Sequence, residues 1–357
     1  MRVCIYTDNH FSQYSSIIRS RGNTYSTRLE NQIKSLNWVE DLAKSESCDI
    51  IVCLGDFFDK SELNAEELTA LQDVRWAPIQ HYFLVGNHEM GLNNLDYTST
   101  HSLHKIPMAN IINKPFTLND SYSDTKIVFI PYILEHNRKP LIDYIKHDFN
   151  VSRNDSEEPK TTIVFSHNDI SGIRYGQYVS KSGFSIKDID TNCSLFINGH
   201  LHNQEQISKK ILNLGNLTGQ NFSEDAFKHS HCAAILDTET LKVDLINNPY
   251  AFNFYKLDFT NCEDNKNIDS IISKCVCNSI LTIKAYEKQI DYIKTNKLLD
   301  KGNIIEYRLI SVFKHNDDNR QDIKDLVNID HIEQFKNYIL GQLGSTDILL
   351  QELSELI

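Results

Sequence analysis

The stretch DIIVCLGDFFD, residues 49–59, joins a run of β-branched and apolar residues to an abrupt change into glycine and aspartate. A short apolar run of this kind predicts a buried strand, and a glycine directly after it lets the chain turn sharply. Amphipathic stretches such as 29–42 separate similar runs up to about residue 249, which predicts an α/β fold. Four other apolar runs end directly in Gly, Asp, Asn or His. They are VCIYTDNH (3–10), FLVGNH (83–88), IVFSHN (163–168) and LFINGH (195–200).

The composition suits a globular chain of one large or two unequal domains. Of its 357 residues, 40% are hydrophobic and 24% are charged. No apolar run approaches the roughly 20 residues that span a bilayer, and the first ten residues lack the basic and apolar regions of a secretory signal. The eight cysteines have no repeated short spacing, which favours a reducing compartment over a disulfide framework. We therefore expect a cytoplasmic protein with no membrane partner.

The charge balance restricts how the chain could meet nucleic acid. It has 36 Lys and Arg against 48 Asp and Glu, a formal net charge of −12. This balance argues against a protein that coats nucleic acid through its overall field, but it does not exclude local contacts. Carboxylates gathered around divalent cations would count in this total while being neutralised in the working protein. The net charge therefore leaves both a nuclease and a binder of a cationic ligand open.

Polar side chains with metal-binding chemistry follow the predicted strands. Together they offer carboxylates, imidazoles and one amide, the mixture expected of two divalent cations such as Mn²⁺ or Fe²⁺. Residues two apart on an extended segment project to the same side, so Asp8 and His10 can aim at one location, as can His200 and His202. Asp56 has two oxygens and could bridge two metals. The segments are Asp8-Asn9-His10, GDFFD (55–59), GNHE (86–89), His167 and GHLH (199–202).

The order of these motifs, D-x-H, G-D-x-x-D, G-N-H-E, H and G-H-x-H, resembles the calcineurin-like metallophosphoesterase superfamily over residues 8–202. The resemblance implies a two-sheet sandwich flanked by helices. It also implies that His88 is not a ligand but faces the scissile phosphate and supports the transition state or the leaving oxygen. We expect no direct role for Asp59 in positioning the phosphate, because some relatives carry His there. The implied ligands are Asp8, His10, Asp56 and His202 for one metal, and Asp56, Asn87, His167 and His200 for the second.

The flanking sequence resembles the SbcD-like DNA repair exonucleases, the bacterial and phage relatives of the nuclease subunit in eukaryotic double-strand-break repair complexes. This narrower resemblance implies a two-metal DNA nuclease, with Mn²⁺ as the expected cation, an SMC-like ATPase resembling SbcC as partner, and a homodimer as a further option. It leaves open whether an endonuclease activity accompanies the exonuclease. The similar stretches are FIPYI (129–133), SHNDISG (166–172), GHLHNQEQI (199–207) and LNLGNLTGQNFSED (212–225).

Three parts of the chain differ in character. Residues 1–249 carry all five motifs and form the predicted nuclease domain. Residues 250–314 still alternate β-like runs with a polar helix-like stretch but lack the Gly, Asn and His strand ends, so we expect a smaller α+β cap domain that helps select DNA. Residues 315–357 read as a polar linker followed by C-terminal helices. These helices either dock the ATPase partner or pack on the cap.

Two other functions fit parts of this pattern. A small-nucleotide phosphodiesterase or phosphatase would use the same fold and ligands, because substrate choice lies in the walls and the cap. A catalytically silent scaffold for protein interaction is the second, and the complete ligand set together with His88 counts against it. Arg19, Arg21 and Arg28 could meet DNA phosphates or lie in a solvated loop. We assign ordinary structural roles to His81, His101, His104, His229, His231 and the Cys275–Cys277 pair.

Overall fold

The computed structural model describes residues 1–17, 19, 21–120, 124–146, 160–175, 178–262 and 264–313. Its α-helices are α1 (Thr27–Ser45), α2 (Ala65–Leu71), α3 (Leu141–Lys146), α4 (Ile186–Asn192), α5 (Asn265–Ser273) and α6 (Glu287–Thr295), and two 3-10 helices span Ser99–Lys105 and Glu135–Asn137. Its strands are β1 (Arg2–Tyr6), β2 (Ile50–Cys53), β3 (Gln80–Leu84), β4 (Met90–Gly91), β5 (Asn94–Thr98), β6 (Ala109–Ile112), β7 (Phe116–Asp120), β8 (Thr125–Ile130), β9 (Thr161–Ser166), β10 (Ile170–Ser171), β11 (Arg174–Tyr175), β12 (Tyr178–Val179), β13 (Phe184–Ser185), β14 (Leu195–Asn198), β15 (Glu205–Gln206), β16 (Ile211–Asn213), β17 (Cys232–Asp237), β18 (Lys242–Asn247), β19 (Asn253–Asp258), β20 (Ser279–Tyr286) and β21 (Ile304–Val312).

Two six-stranded sheets form the centre of the fold. The first has the strand order β18-β17-β1-β2-β3-β6 and the second has the order β15-β16-β14-β9-β8-β7. Their facing sides share one apolar core that includes Ile5 and Val52 from the first sheet and Phe129 and Phe165 from the second. Burying such side chains between two sheets stabilises the sandwich. The predicted two-sheet α/β architecture is confirmed.

Helices cover the outer side of each sheet. Helix α1 begins at the N-cap Ser26, whose hydroxyl accepts from the Leu29 N–H, and it packs Leu36 and Val39 onto the first sheet. Helices α3 and α4 pack Leu141 and Ile189 onto the second sheet. The helices thus shield the faces of the sheets that do not meet each other, as predicted.

Parallel strands bring the predicted site segments to common edges. Strands β1, β2 and β3 run parallel in the first sheet, and β8, β9 and β14 run parallel in the second. Because parallel strands end on the same side of a sheet, the loops that follow β1, β2 and β3 leave from one edge. The loops after β9 and β14 do the same in the second sheet. All five polar segments are in these loops.

A smaller three-stranded sheet, of order β19-β20-β21, carries helices α5 and α6 and has an apolar core of its own. Leu257, Ile283 and Ile293 are among the residues buried there. The chain divides into the compact units Met1–Ser311 and Val312–Ile357. Almost all of the second unit, including the linker and helices predicted at 315–357, lies outside the described residues. The three-domain division at 249 and 314 stays a prediction.

Two further sequence expectations concern cysteines and membranes. All eight cysteines are free thiols, and six of them are buried. None of the helices in the described ranges combines the length and the apolar character needed to cross a membrane.

Candidate metal centre

The loops after the central strands hold their polar residues in an unusual backbone conformation. Asp8, His10, Asp56 and His200 have φ angles of 50°, 48°, 46° and 74°. Non-glycine residues rarely adopt this left-handed region, and when they do it is often at functional sites. Backbone hydrogen bonds fix the first two loops together, since the Asp8 N–H donates to the Gly55 carbonyl and the His10 N–H donates to the Asp56 carbonyl.

Glycine at position 86 is required by the close approach of two of these loops. A Cβ atom on Gly86 would collide with the carboxylate and the backbone nitrogen of Asp56. The Gly86 N–H instead donates to Glu89 Oε2 at 2.6 Å. The absence of a side chain therefore lets the β3 loop pass directly beside the central carboxylate.

Asp8, His10 and His202 form the first group of potential ligands, with one ligand atom from each within 4.8 Å of the others. The Nε2 atoms of His10 and His202 are 3.1 Å apart, and Asp8 Oδ1 lies 3.8 Å and 3.9 Å from them. Atoms that share a metal at bond lengths near 2.1 Å lie about 3 Å apart. These three side chains can therefore converge on one cation.

Asp56, His167 and His200 form the second group, also within 4.8 Å. Asp56 Oδ2 is 3.1 Å from His167 Nε2 and 3.8 Å from His10 Nε2, so one carboxylate oxygen lies close to both groups. The other oxygen, Oδ1, accepts from the His88 N–H at 3.0 Å. The carboxylate predicted to bridge two metals is thus located where both groups can share it.

The second nitrogen of three histidines is anchored by an acceptor. His167 Nδ1 is 2.9 Å from the Leu54 carbonyl oxygen, His10 Nδ1 is 3.1 Å from Asp59 Oδ1, and His200 Nε2 is 3.3 Å from Asp169 Oδ1. A carbonyl or carboxylate oxygen accepts, so each of these nitrogens carries the hydrogen. The opposite nitrogen then keeps the lone pair that a metal requires.

Several buried polar atoms in these residues have no hydrogen-bond partner among the described residues. Such atoms are costly unless a ligand satisfies them. His167 Nε2 belongs with them because its close contact with Asp56 lacks hydrogen-bond geometry. They are Asp8 Oδ1, Asn87 Oδ1, His167 Nε2 and His200 Nδ1. Together with the carboxylate, imidazole and amide chemistry of the set, these atoms fit two divalent cations.

The two carboxylates remain charged although both are buried. Burial raises the pKa of Asp8, but the nearby His10, whose Nε2 lies 3.8 Å from Asp8 Oδ1, and the charge of His167 outweigh it and lower that pKa to about 2. Burial likewise opposes ionisation of Asp56, and the charge of His167 overcomes it, so the Asp56 pKa lies well below its usual range. The centre therefore presents two anionic ligands at neutral pH.

The histidines of the centre differ in their affinity for protons. Burial lowers the pKa of His10, but Asp59, Asp8 and Asp56 outweigh it and raise that pKa to about 10. At His167 the charge of Asp56 likewise outweighs burial and raises the pKa to about 9. Burial dominates at His202 and lowers its pKa to about 4. A cation must therefore displace protons from His10 and His167.

His88 is open to solvent and forms a third candidate ligand group with His10 and Asp56, whose ligand atoms also lie within 4.8 Å of one another. Its ring centroid is 4.5 Å from that of His10, and its side chain is 40% exposed. His88 Nδ1 donates to the Asp59 carbonyl oxygen at 3.0 Å, while the Asp59 carboxylate binds His10. Asp59 thus positions two histidines of the centre, a role that the sequence did not indicate.

The sequence also did not predict the supporting roles of Glu89 and Asp169. Glu89 accepts from the Gly86 and Phe58 N–H groups, and burial together with the charge of Asp56 raises its pKa to about 7. Asp169 anchors His200. The motif strings G-N-H-E and S-H-N-D contain both residues, which is the signal that could have identified them.

The position of Arg28 differs from both expectations drawn from the sequence, which were a contact with DNA phosphates and a solvated loop. It is buried, and its guanidinium donates to the carbonyl oxygens of Gly219 and Asn9 at 2.7 Å and 3.4 Å. It therefore holds the backbone behind the Asp8 loop, and it is neither solvated nor free to meet DNA. Arg21 is exposed and pairs with Glu66 at 2.7 Å.

Comparisons with known proteins find one family model and several solved structures of low similarity. The family model described as calcineurin-like phosphoesterase matches residues 1–204. No curated protein matches the chain. An archaeal phosphodiesterase structure is 14% identical over 69% of this chain and 99% of its own, with a TM-score of 0.34. A dimetal phosphatase from Danio rerio is 11% identical over 70% of this chain and 99% of its own, with a TM-score of 0.40. The calcineurin-like phosphoesterase YfkN from Bacillus subtilis is 11% identical over 69% and 88%, with a TM-score of 0.34.

Proposed function

The chain belongs to the calcineurin-like phosphoesterase family, and we propose that it hydrolyses DNA phosphodiester bonds with two divalent cations. Membership in this family implies a metal-dependent phosphoester hydrolase. The observation that carries the proposal is the convergence of two ligand groups beside the Asp56 carboxylate, with the exposed His88 next to them. Such a paired site suits the in-line displacement of an oxygen from a phosphate.

The proposed ligands follow the geometry of the two groups. Asp8, His10 and His202 would hold one cation, and Asn87, His167 and His200 the other, with Asp56 shared between them. We propose Mn²⁺ as the natural metal, because mixed carboxylate and imidazole ligands suit it. When bound, the two cations would supply Lewis-acid polarisation of the phosphate and a more acidic water.

His88 would act on the substrate itself. Since its Nδ1 hydrogen is donated to the Asp59 carbonyl, Nε2 is the nitrogen available to a phosphate or leaving oxygen. The T-shaped contact with the His10 ring and the fixed Asp59 loop hold the imidazole in place. In its imidazolium form, which carries a hydrogen on both nitrogens, His88 is suited to donate a hydrogen bond or a proton from Nε2 where negative charge develops.

DNA as substrate is supported by the sequence around the motifs. The resemblance to SbcD-like exonucleases extends through the segment 212–225, in which Gln220 Nε2 donates to the Asp8 carbonyl at 2.9 Å. That segment therefore lies against the ligand loop. On the same resemblance we propose that the chain is the catalytic subunit of an SbcCD-like complex for DNA processing and repair. Its C-terminal residues would dock the SMC-like ATPase.

The decisive experiment is a comparison of substrates. The Mn²⁺-loaded protein is incubated with labelled double-stranded and single-stranded DNA, and with a chromogenic phosphodiester that has no nucleoside. Cleavage of DNA that a chelator abolishes and Mn²⁺ restores is the expected result. Hydrolysis of the chromogenic ester with DNA left intact would point to a small-nucleotide substrate. A protein that binds no metal and hydrolyses neither substrate would be a silent scaffold.

The ATPase partnership has a separate test. A chain ending at His315 keeps the compact unit Met1–Ser311, so we expect it to remain metal-bound and to cut DNA slowly. It should no longer co-purify with the ATPase. Undiminished co-purification would place the docking site elsewhere, and aggregation with loss of metal would assign the C-terminal residues to the core.

A further inference from the structure

A cavity of about 350 Å³ lies next to the candidate metal centre, and the proposed chemistry does not use it. One wall is the β4–β5 hairpin, which begins at Met90, directly after the GNHE motif. A second wall is the segment 131–137 that follows β8, and residues 113–115 after β6 and Tyr144 of α3 complete the lining. Protein cavities of this size hold small organic ligands.

Tyr132 connects the cavity to the centre. It lines the cavity, and its ring centroid is 5.5 Å from that of His200. Its N–H donates to the carbonyl oxygen of Val85, the residue before Gly86, at 2.9 Å. The cavity is therefore within reach of a group attached to a phosphate at the proposed cations.

The charges of the lining favour an uncharged group. Lys114 Nζ lies 3.6 Å from Asp96 Oδ1, and Asn113 Nδ2 donates to the same oxygen at 2.9 Å. The Lys114 charge is thus offset by its neighbour. A second phosphate would find no unpaired cation among the lining residues.

The other lining residues include the aromatic ring of Tyr132 and two exposed asparagine side chains. Asn93 and Asn137 line the cavity and are exposed, and neither side-chain amide is hydrogen-bonded to another described residue. An asparagine amide presents a donor and an acceptor side by side, as the edges of nucleobases do. Tyr132 supplies an aromatic face on which a base can stack.

We propose that this cavity binds the nucleoside attached to the scissile phosphate, with its base against Tyr132 and its polar edge at Asn93 and Asn137. The inference rests on the proposed function and adds the part of the substrate that the metal centre does not hold. It makes the enzyme selective for nucleotides over other phosphodiesters.

Binding measurements separate the cavity from the metal centre. The Mn²⁺-loaded protein is titrated by calorimetry with thymidine 5′-monophosphate and with inorganic phosphate. The wild type should bind the nucleotide more tightly than phosphate. Tyr132→Leu, which removes the ring, should lower nucleotide affinity about tenfold and leave phosphate affinity unchanged, because stacking contributes about 1–3 kcal/mol per base. Tyr132→Phe keeps the ring and should match the wild type.

The Asn137→Ala variant tests whether the loss of affinity in Tyr132→Leu is an indirect effect that acts through His200. Asn137 is exposed, so its replacement leaves the fold intact, and it should weaken nucleotide binding about threefold without changing phosphate binding. Equal affinity of the wild type for nucleotide and phosphate would overturn the proposal. So would a Tyr132→Leu variant that loses both ligands equally while Asn137→Ala loses neither. Nucleotide-selective binding without hydrolysis of any phosphodiester would support the cavity and refute the proposed function.

Discussion

Five strand ends from two sheets supply the candidate metal centre, whereas the small sheet β19–β20–β21 is built from strands consecutive in the chain. The centre buries carboxylates and imidazoles, several with unsatisfied atoms, while the small sheet buries apolar side chains such as Leu257 and Ile283. Apolar packing is complete without a ligand, but unsatisfied polar atoms are not. The centre therefore leaves polar atoms for cations to satisfy, whereas the packing of the small sheet needs no ligand.

The strongest test of this contrast is the substitution Asp56→Asn. Because Asp56 lies close to both ligand groups, the loss of its charge should remove most bound metal and nearly all hydrolysis. The side-chain volume hardly changes, so the fold should persist. Elemental analysis measures the metal content, and circular dichroism shows whether the fold persists. A variant with both metals and normal turnover would rule out a shared carboxylate.

The second largest expected effect distinguishes a catalytic role of His88 from a role as a metal ligand. His88→Ala should keep both metals and DNA affinity but lower the rate about a hundredfold or more, because we propose that the exposed His88 acts on the phosphate and not on the metals. His10, Asp56 and His88 also form a candidate ligand group, so the metal content of the variant decides between the two roles. Turnover and metal stoichiometry are measured on the same preparation. His101→Ala, which removes another exposed histidine, is the matched control and should behave as wild type. A parallel fall in metal occupancy would make His88 a ligand.

A smaller effect is expected from pH. The pKa values of about 10 for His10 and about 9 for His167 mean that both are protonated at neutral pH when no metal is bound. Both protons must leave before these nitrogens bind a cation, so metal affinity should rise with pH, by about tenfold or more between pH 6.5 and 7.5. Mn²⁺ titration against a competing chelator at each pH measures this slope. An affinity that stays constant over this range would show that neither proton competes with the metal.

The two regions also differ in how far the sequence predicts them. The centre was predictable because its residues directly follow short apolar strands, so that local patterns place them at strand ends. Asp59 and Asp169 were not assigned, because their contacts with His10 and His200 depend on loops distant in sequence. Arg28 was misjudged since a single sequence does not reveal that an arginine is buried.

The small sheet had weaker signals in the sequence. The β-like runs expected within residues 250–314 are SILTIKAY (279–286) and IIEYRLISVF (304–313), and β20 and β21 occupy them. No motif showed what these strands contact. Their attachment to the rest of the chain through Phe254 and Ile280 is an outcome of tertiary packing that local patterns do not encode.

The smallest expected effect tests whether the two regions are independent. Arg308 on β21 lies 3.5 Å from the centroid of the Phe222 ring and donates to the Ser16 carbonyl at 3.1 Å. Ser16 in turn donates to the carbonyl of Gln220, whose side chain donates to the Asp8 carbonyl.

Arg308→Ala should lower the free energy of unfolding by about 0.5–1 kcal/mol, as expected for an exposed cation–π contact. Denaturant unfolding of the metal-loaded protein measures this loss, and Lys284→Ala, which removes an exposed ion pair on the neighbouring strand, should change it less. Metal affinity should be unchanged, because only backbone groups of the ligand loop take part in the chain of contacts from Arg308 to Asp8. If Arg308→Ala weakens Mn²⁺ binding severalfold, the small sheet helps to position the Asp8 loop, and the contrast between a ligand-dependent centre and an independent small sheet fails.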